Sequence, residues 1–298
     1  MKSVEHVLLP YYDLFLSDST RKKAEHVIVI TAIISFSIHL LLIVLNNYGL
    51  LHRLPSSNLL SNPISAIYTP FSFILLYEVY LLVYYLPKSI SMYIGKQYEI
   101  ITLILIRRIY YDLANLEFTA SWFQVQSDLQ FTYDIIGTIL LFMLILLFYR
   151  INQGRIRDVP LTPGIMSFIR TKKMIALVLV PVLVVLAVWN LADWLHELIF
   201  NPDSIDLSVK QLNMIFYDEF FTILIMTDVF LLLLSFLHTD DFNTVIRNSG
   251  FVISTILIKL SFSTDGILNT ILMVVAVVFG VIILWTHNQY LKLDPESN

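Results

Sequence analysis

The chain contains no cysteine. That excludes disulfides, thiolate metal sites and cysteine nucleophiles, and it leaves the redox compartment open. Charge is scarce as well: only 14% of the 298 residues are Asp, Glu, Lys or Arg. Gly154 and Gly164 stand in no phosphate-loop pattern. His196-Glu197 is not a zinc-protease motif, because position 200 is Phe where a second histidine would be needed. Asp193, His196 and Glu197 therefore read as polar groups at a helix end. Alternating ten-residue segments of the outer-membrane barrel kind are missing too. Residues 1–26 hold no apolar core followed by a small-residue cleavage site, so no signal peptide is expected. These absences leave no metal, cofactor or nucleic-acid site to expect, and the expectation is a protein that is not an enzyme.

What is abundant is apolar sequence, 57% of the chain. Apolar runs of about 20 residues recur, long enough to cross roughly 30 Å of hydrocarbon. The expected fold is all-α: a polytopic helical membrane protein. Spans are expected at 27–46, 65–87, 97–116, 132–150, 173–192, 215–237, 245–262 and 266–287. His39 in the first span reads as a packed or hydrogen-bonded residue. Tyr77, Tyr80 and Tyr84 share one helical face and read as packing or interface anchors. Pro181 should kink the fifth span.

The segment 97–116 decides the topology. If it stays on the cytoplasmic side, the Lys and Arg flanking the other seven spans divide nine to nine, with no bias. If it crosses, fourteen lie inside and only Arg53 and Lys210 outside, with Arg107, Arg108 and Lys259 in the membrane. The positive-inside rule selects the second arrangement. It gives eight spans with both termini cytoplasmic and leaves Glu117, Asp128, Asp193, Glu197, Asp203 and Asp206 outside. A bacterial cytoplasmic membrane is the expected location.

The two halves match. Leu76-Tyr77-Glu78-Val79 corresponds to Met226-Thr227-Asp228-Val229, and Thr102 through Arg107 to Ser254 through Lys259, at offsets close to 150 residues. Thr138-Ile139-Leu140 corresponds to Thr270-Ile271-Leu272 at an offset of 132. Four spans per unit is an even number, so the units should point the same way. The expected organisation is a cytoplasmic N-terminal segment 1–26, a four-helix repeat 27–150, a basic linker 151–171, a second repeat 172–288 and a polar tail 289–298. The linker suits anionic lipid or a cytoplasmic protein. An acid on the second helix and a base ending the apolar run of the third, here Glu78 with Ile104-Leu105-Ile106-Arg107, or Asp228 with Ile256-Leu257-Ile258-Lys259, resemble the phosphate-starvation-inducible E family of four-helix bacterial inner-membrane proteins. The resemblance implies that fold for residues 65–150 and 215–288, two units in one chain, and implies little about function.

The candidate site residues are the charges placed inside the bilayer: Glu78, Arg107, Arg108, Asp228 and Lys259. Such charges usually pair or line a pathway. Glu78 lies ten residues before Lys88, and Arg107 eleven after Lys96. At about 1.5 Å per residue these depths match, which predicts a Glu78–Arg107 pair. The same reasoning predicts an Asp228–Lys259 pair. Arg108 has Asp112 one turn away as a local partner. Two readings follow: structural ion pairs that lock each unit, or a proton or ion relay. The rival function is a membrane scaffold or sensor that moves nothing. Ala276 and Gly280 stand at small-xxx-small spacing, a common packing signal.

Overall fold

The computed structural model describes residues 11–49, 63–114, 126–153, 163–200, 205–237 and 242–293. Glu117, Asp203, Arg53, the central part of the basic linker and the end of the tail lie outside them, as do the side chains of Asp193, His196, Glu197, Asp206 and Lys210. Among the described residues the long elements are all helices: α1 Asp18–Asn47, α2 Tyr68–Tyr85, α3 Ile90–Ala114, α4 Gln126–Gln153, α5 Pro163–Phe200, α6 Ile205–Phe236, α7 Phe242–Phe262 and α8 Ile267–Leu293. A single 3-10 turn, Pro63–Ile67, leads into α2.

Local chemistry sets several of these ends. Ser17 caps α1: its hydroxyl accepts the Thr20 amide at 3.2 Å, and Asp18 sits in the positive first turn. Pro87 has no amide hydrogen to continue α2, so residues 86–88 form a turn. Gly266 turns the chain from α7 to α8 at φ +67°, where a side chain would be strained. Pro181 lies inside α5 without ending it.

Among the described residues, five helices are long and apolar enough to cross a membrane: α1, α4 from Asp128, α6 from Tyr217, α7 and α8. Thr69–Tyr85 of α2 is a shorter apolar helix. Large apolar side chains lie open on the outside, among them Ile33, Ile34 and Ile38 on α1 and Phe142, Met143 and Leu146 on α4. Met143 is 65% exposed. Water would not tolerate so much contiguous apolar surface, whereas lipid does. This is an integral membrane protein.

Side-chain pairs fix the direction of α1–α4 and of α6–α8. Asp18 meets Tyr84 and His39 meets Thr69, so α1 and α2 run antiparallel. Glu78 with Lys96 sets α2 against α3, and Glu99 with Tyr149 and Arg108 with Asp134 set α3 against α4. In the second half Ser235 with Asn248 and Ser254 with Ala276 give the same alternation for α6, α7 and α8. Helices α4 and α8 run parallel: Asp134 meets Thr270 near the start of both, and Asn288 meets Ile151 near the end of both.

Each helix packs on its chain neighbour within α1–α4 and again within α5–α8. Between the halves, α4 packs along α8, and smaller contacts join α3 to α7, α3 to α8 and α2 to α5. Tyr98, Phe148 and Phe251 are fully buried where α3, α4 and α7 meet. Their rings pack edge-to-face or tilted, with centroids 5.2 and 6.1 Å apart. Helix α3, with five charges in its sequence, thus runs through the middle of the bundle.

Candidate functional site

Polar side chains gather in three places along α3. The first lies at the end of the bundle that carries the α7–α8 turn at Gly266. Arg108 is bidentate to Asp134 of α4, Nε to Oδ2 at 2.5 Å and Nη2 to Oδ1 at 2.6 Å. The same guanidinium reaches into the other half, donating to Asn269 Oδ1 at 2.8 Å and Thr270 Oγ1 at 2.9 Å. Gln130 Nε2 and Thr270 Oγ1 also donate to Asp134, and Asn269 Nδ2 donates to the Ser261 carbonyl. Asp134 is fully buried, and four donors surround its two oxygens. This fork-to-fork geometry is the strong form of an ion pair. It joins α3 and α4 to α8.

The second cluster lies toward the Pro87 turn. Glu78 does not pair with Arg107. Its partner is Lys96 of α3, Nζ to Oε2 at 3.9 Å. Lys96 is held more closely by Glu99, whose other oxygen accepts the Tyr149 hydroxyl at 2.5 Å. Hairpin register explains the difference. Glu78 is nine residues before Pro87 and Lys96 nine after it, while Arg107 is twenty after. Arg107 therefore lies about 16 Å further along α3. The expected pair treated Lys96 as a surface marker, although it is already nine residues into the hairpin. Arg107 is buried, with Ser72 Oγ at 3.5 Å and the Tyr217 ring centroid at 5.6 Å.

The third cluster surrounds Asp228, and here too the expected partner is absent. Lys259 pairs with Asp218 of α6, Nζ to Oδ1 at 3.4 Å. Thr255 is the α7 residue that faces Asp228, so Lys259, one turn on, reaches past it toward the Gly266 end. Asp228 accepts Gln97 Nε2 at 3.2 Å, across the boundary between the halves. The Thr255 hydroxyl has a single proton and two side-chain acceptors within reach, Gln97 Oε1 at 2.8 Å and Asp228 Oδ2 at 3.2 Å. Tyr93 brings its hydroxyl within reach of both Asp228 and Gln97, without the alignment of a well-formed hydrogen bond to either. Lys172, buried at the start of α5, is within Coulombic reach, yet no cation stands within 4 Å of the carboxylate among the described residues. A cavity of about 30 Å³ opens onto Asp228 between Leu86, Tyr93, Leu232, Asn248 and Phe251.

Outside these clusters, residues 12–18 are fastened to α2. Tyr12 and Leu16 are buried, Tyr80 donates to the Phe15 carbonyl at 2.9 Å, and Lys173 lies 4.8 Å over the Tyr12 ring. The Tyr84 hydroxyl and then Lys88 hold the Asp18 carboxyl below its ordinary range. His39 Nδ1 is hydrogen-bonded to Thr69 Oγ1 at 2.6 Å, an ordinary satisfied histidine. Among the described residues no cluster of three metal-ligating side chains occurs.

Arg108 meets Asp134 where Asp112 was expected as its local partner, and Asp134, Gln97, Tyr93 and Asn269 were not singled out from the sequence. Asp134 carried a signal, being an acid inside the run expected to span at 132–150. Gln97 and Tyr93 carried none, because uncharged polar residues are common in helices. Comparisons with protein-family models, curated proteins and solved structures find no match to the chain.

Proposed function

We propose that this is a non-enzymatic protein of a bacterial cytoplasmic membrane that moves protons or another small ion past Asp228. In this reading the chain crosses eight times, both termini are cytoplasmic, and α1–α4 and α5–α8 are parallel repeats. Helix directions support the repeat: α2, α3 and α4 run the same way as α6, α7 and α8. Packing supports it too, since a shift of four helices maps neighbour contacts onto neighbour contacts and the α4–α8 and α3–α7 contacts onto themselves. The α2–α5 and α3–α8 contacts are the exceptions. Helix α3 spans about 37 Å at 1.5 Å per residue and runs antiparallel between α2 and α4, which supports a crossing helix rather than a surface one.

One observation carries the function. Asp228 is a buried carboxylate at the junction of the halves, opens onto a cavity, and has no ion-pair partner within 4 Å among the described residues. A structural charge at such depth is normally neutralised by a partner. Its counterpart Glu78 has a cation within reach, Lys96 at 3.9 Å, which it shares with Glu99. The residue 152 positions on from Lys96, the same step that separates Arg107 from Lys259, is Asn248, a neutral amide lining the cavity. The first unit thus holds its acid in a pair, and the second keeps its acid available. The resemblance to the phosphate-starvation-inducible E family fits the four-helix unit and is silent on this asymmetry.

Reconstituted in liposomes, the protein should show a pH-dependent flux of protons or a small cation. Asp228→Asn should cut it at least tenfold, and Glu78→Gln by less than half. Absence of flux across protons and common cations would reject transport and favour the scaffold.

A further inference from the structure

We infer that the path to Asp228 is one-sided: it leads in from the end of the bundle that carries the Pro87 turn, and the rings of Phe221 and Phe262 close it toward the Gly266 end. This rests on the transport reading above and gives that site its direction of loading, cytoplasmic in the eight-span reading. The placement of the cavity on each helix carries the direction. Asp228 meets Gln97 of α3 and Thr255 of α7. The wall residues from α3, Ile90 to Ile94, all precede Gln97. Those from α7, Asn248 to Val252, all precede Thr255. Those from α6 beyond the acid itself, Leu231 and Leu232, follow Asp228. Helices α3 and α7 start at the Pro87 end and α6 finishes there. On all three helices the cavity therefore lies on the same side of the carboxylate.

The other side is filled. Phe221 stands seven residues from Asp228 toward the Gly266 end, and Phe262 seven from Thr255. Both lie about 10 Å beyond the carboxylate at 1.5 Å per residue. Their rings stack with centroids 5.2 Å apart; Phe220 packs on Phe221 at 5.3 Å and Tyr217 on Phe262 at 6.2 Å. Leu224 and Ile258, between these rings and Asp228, are buried as well. An apolar constriction excludes ions because water does not wet it. Charge reinforces it. Arg107, ten residues beyond Gln97, holds its guanidinium 5.6 Å from the Tyr217 ring centroid. A cation arriving from the Gly266 end would meet that charge before it met the rings.

The test labels the two faces separately. The full chain carries one cysteine at a time in sealed vesicles of either orientation, and is treated with a small, charged, impermeant thiol reagent. Ser297→Cys, in the tail after α8, marks the face at the Pro87 end. Leu232→Cys, in the cavity wall, should react from that face and at least tenfold more slowly from the other. Leu224→Cys, beyond the carboxylate, should react from neither. Adding Phe221→Ala and Phe262→Ala should speed the reaction of Leu224→Cys from the Gly266 face at least tenfold. Leu232→Cys should keep its sidedness in that background, which shows the bundle still folded. Reaction of Leu232→Cys from the Gly266 face, or of Leu224→Cys from that face with both rings in place, would overturn the one-sided path. No gain on removing the rings from a bundle that keeps its sidedness would overturn their part in closing it. Labelling needs no ion movement, so liposome flux decides separately: the expected labelling with no flux of any ion would remove transport and leave the one-sided cavity standing.

Discussion

Replacing Arg108 with alanine should destabilise the protein by about 3–5 kcal/mol, the usual cost of breaking a buried ion pair from one side. The reason is what remains behind. Asp134 is fully buried and would keep its charge with only Gln130 and Thr270 donating to it. Asn269 would lose the guanidinium that its Oδ1 now accepts from. Removing both charges is a different experiment, because apolar side chains of similar volume often replace a buried pair at little cost. Arg108→Met combined with Asp134→Leu should therefore recover most of the loss. The four proteins form a double-mutant cycle, read by unfolding in detergent, and its coupling should exceed about 1 kcal/mol. Additive losses, or a loss under about 1 kcal/mol for Arg108→Ala, would mean that the cluster does not hold the halves together.

That Arg108 pairs with Asp134 and Arg107 does not pair with Glu78 marks the boundary of what the sequence reveals. Helix positions were legible, because a bilayer requires apolar runs of about 20 residues: the expected segments fall on helices, of which five, among the described residues, are long and apolar enough to cross. The presence of an interior acid in each half was legible for the same reason. Pairing was not. It depends on hairpin register, and register depends on where the turn is centred. Taking Lys96 as a surface marker misplaced Arg107 by about 16 Å. For Lys259 the error was smaller. It lies one turn beyond Thr255, and a long flexible side chain reached Asp218 instead of Asp228. Contacts between the halves, such as Gln97 with Asp228 and Arg108 with Asn269, join residues more than a hundred positions apart. No periodicity within either helix encodes them.

Gly280→Ala should have the second largest effect on stability. The small-xxx-small pair of α8 is the seat of α3 and α7: Ala276 is fully buried and its carbonyl accepts the Ser254 hydroxyl at 2.7 Å. A Cβ at Gly280 would stand 1.7 Å from the Tyr98 hydroxyl oxygen and 2.8 Å from the ring. Tyr98 has nowhere to withdraw. It is fully buried, hydrogen-bonded to Ser254 at 2.8 Å and packed edge-to-face on Phe148. Overpacking of this kind typically costs about 1–3 kcal/mol. Tyr98→Phe alone loses one hydrogen bond, about 0.5–1.5 kcal/mol, but it also removes the atom that clashes. The double variant should therefore be less destabilised than the sum of its singles. A neutral Gly280→Ala would show that α3 and α8 do not approach this closely.

All of this depends on α3 crossing the membrane beside α4, so that the halves lie parallel and Asp228 lies between them. The cysteine-free chain allows a direct measurement. Single cysteines are placed at Ser121, Ser167, Ser204 and Ser297, and intact cells are treated with an impermeant thiol reagent. Eight spans predict labelling at Ser121 and Ser204 and none at Ser167 and Ser297. Labelling at Ser167 with none at Ser121 would mean seven spans, a surface α3 and no parallel repeat.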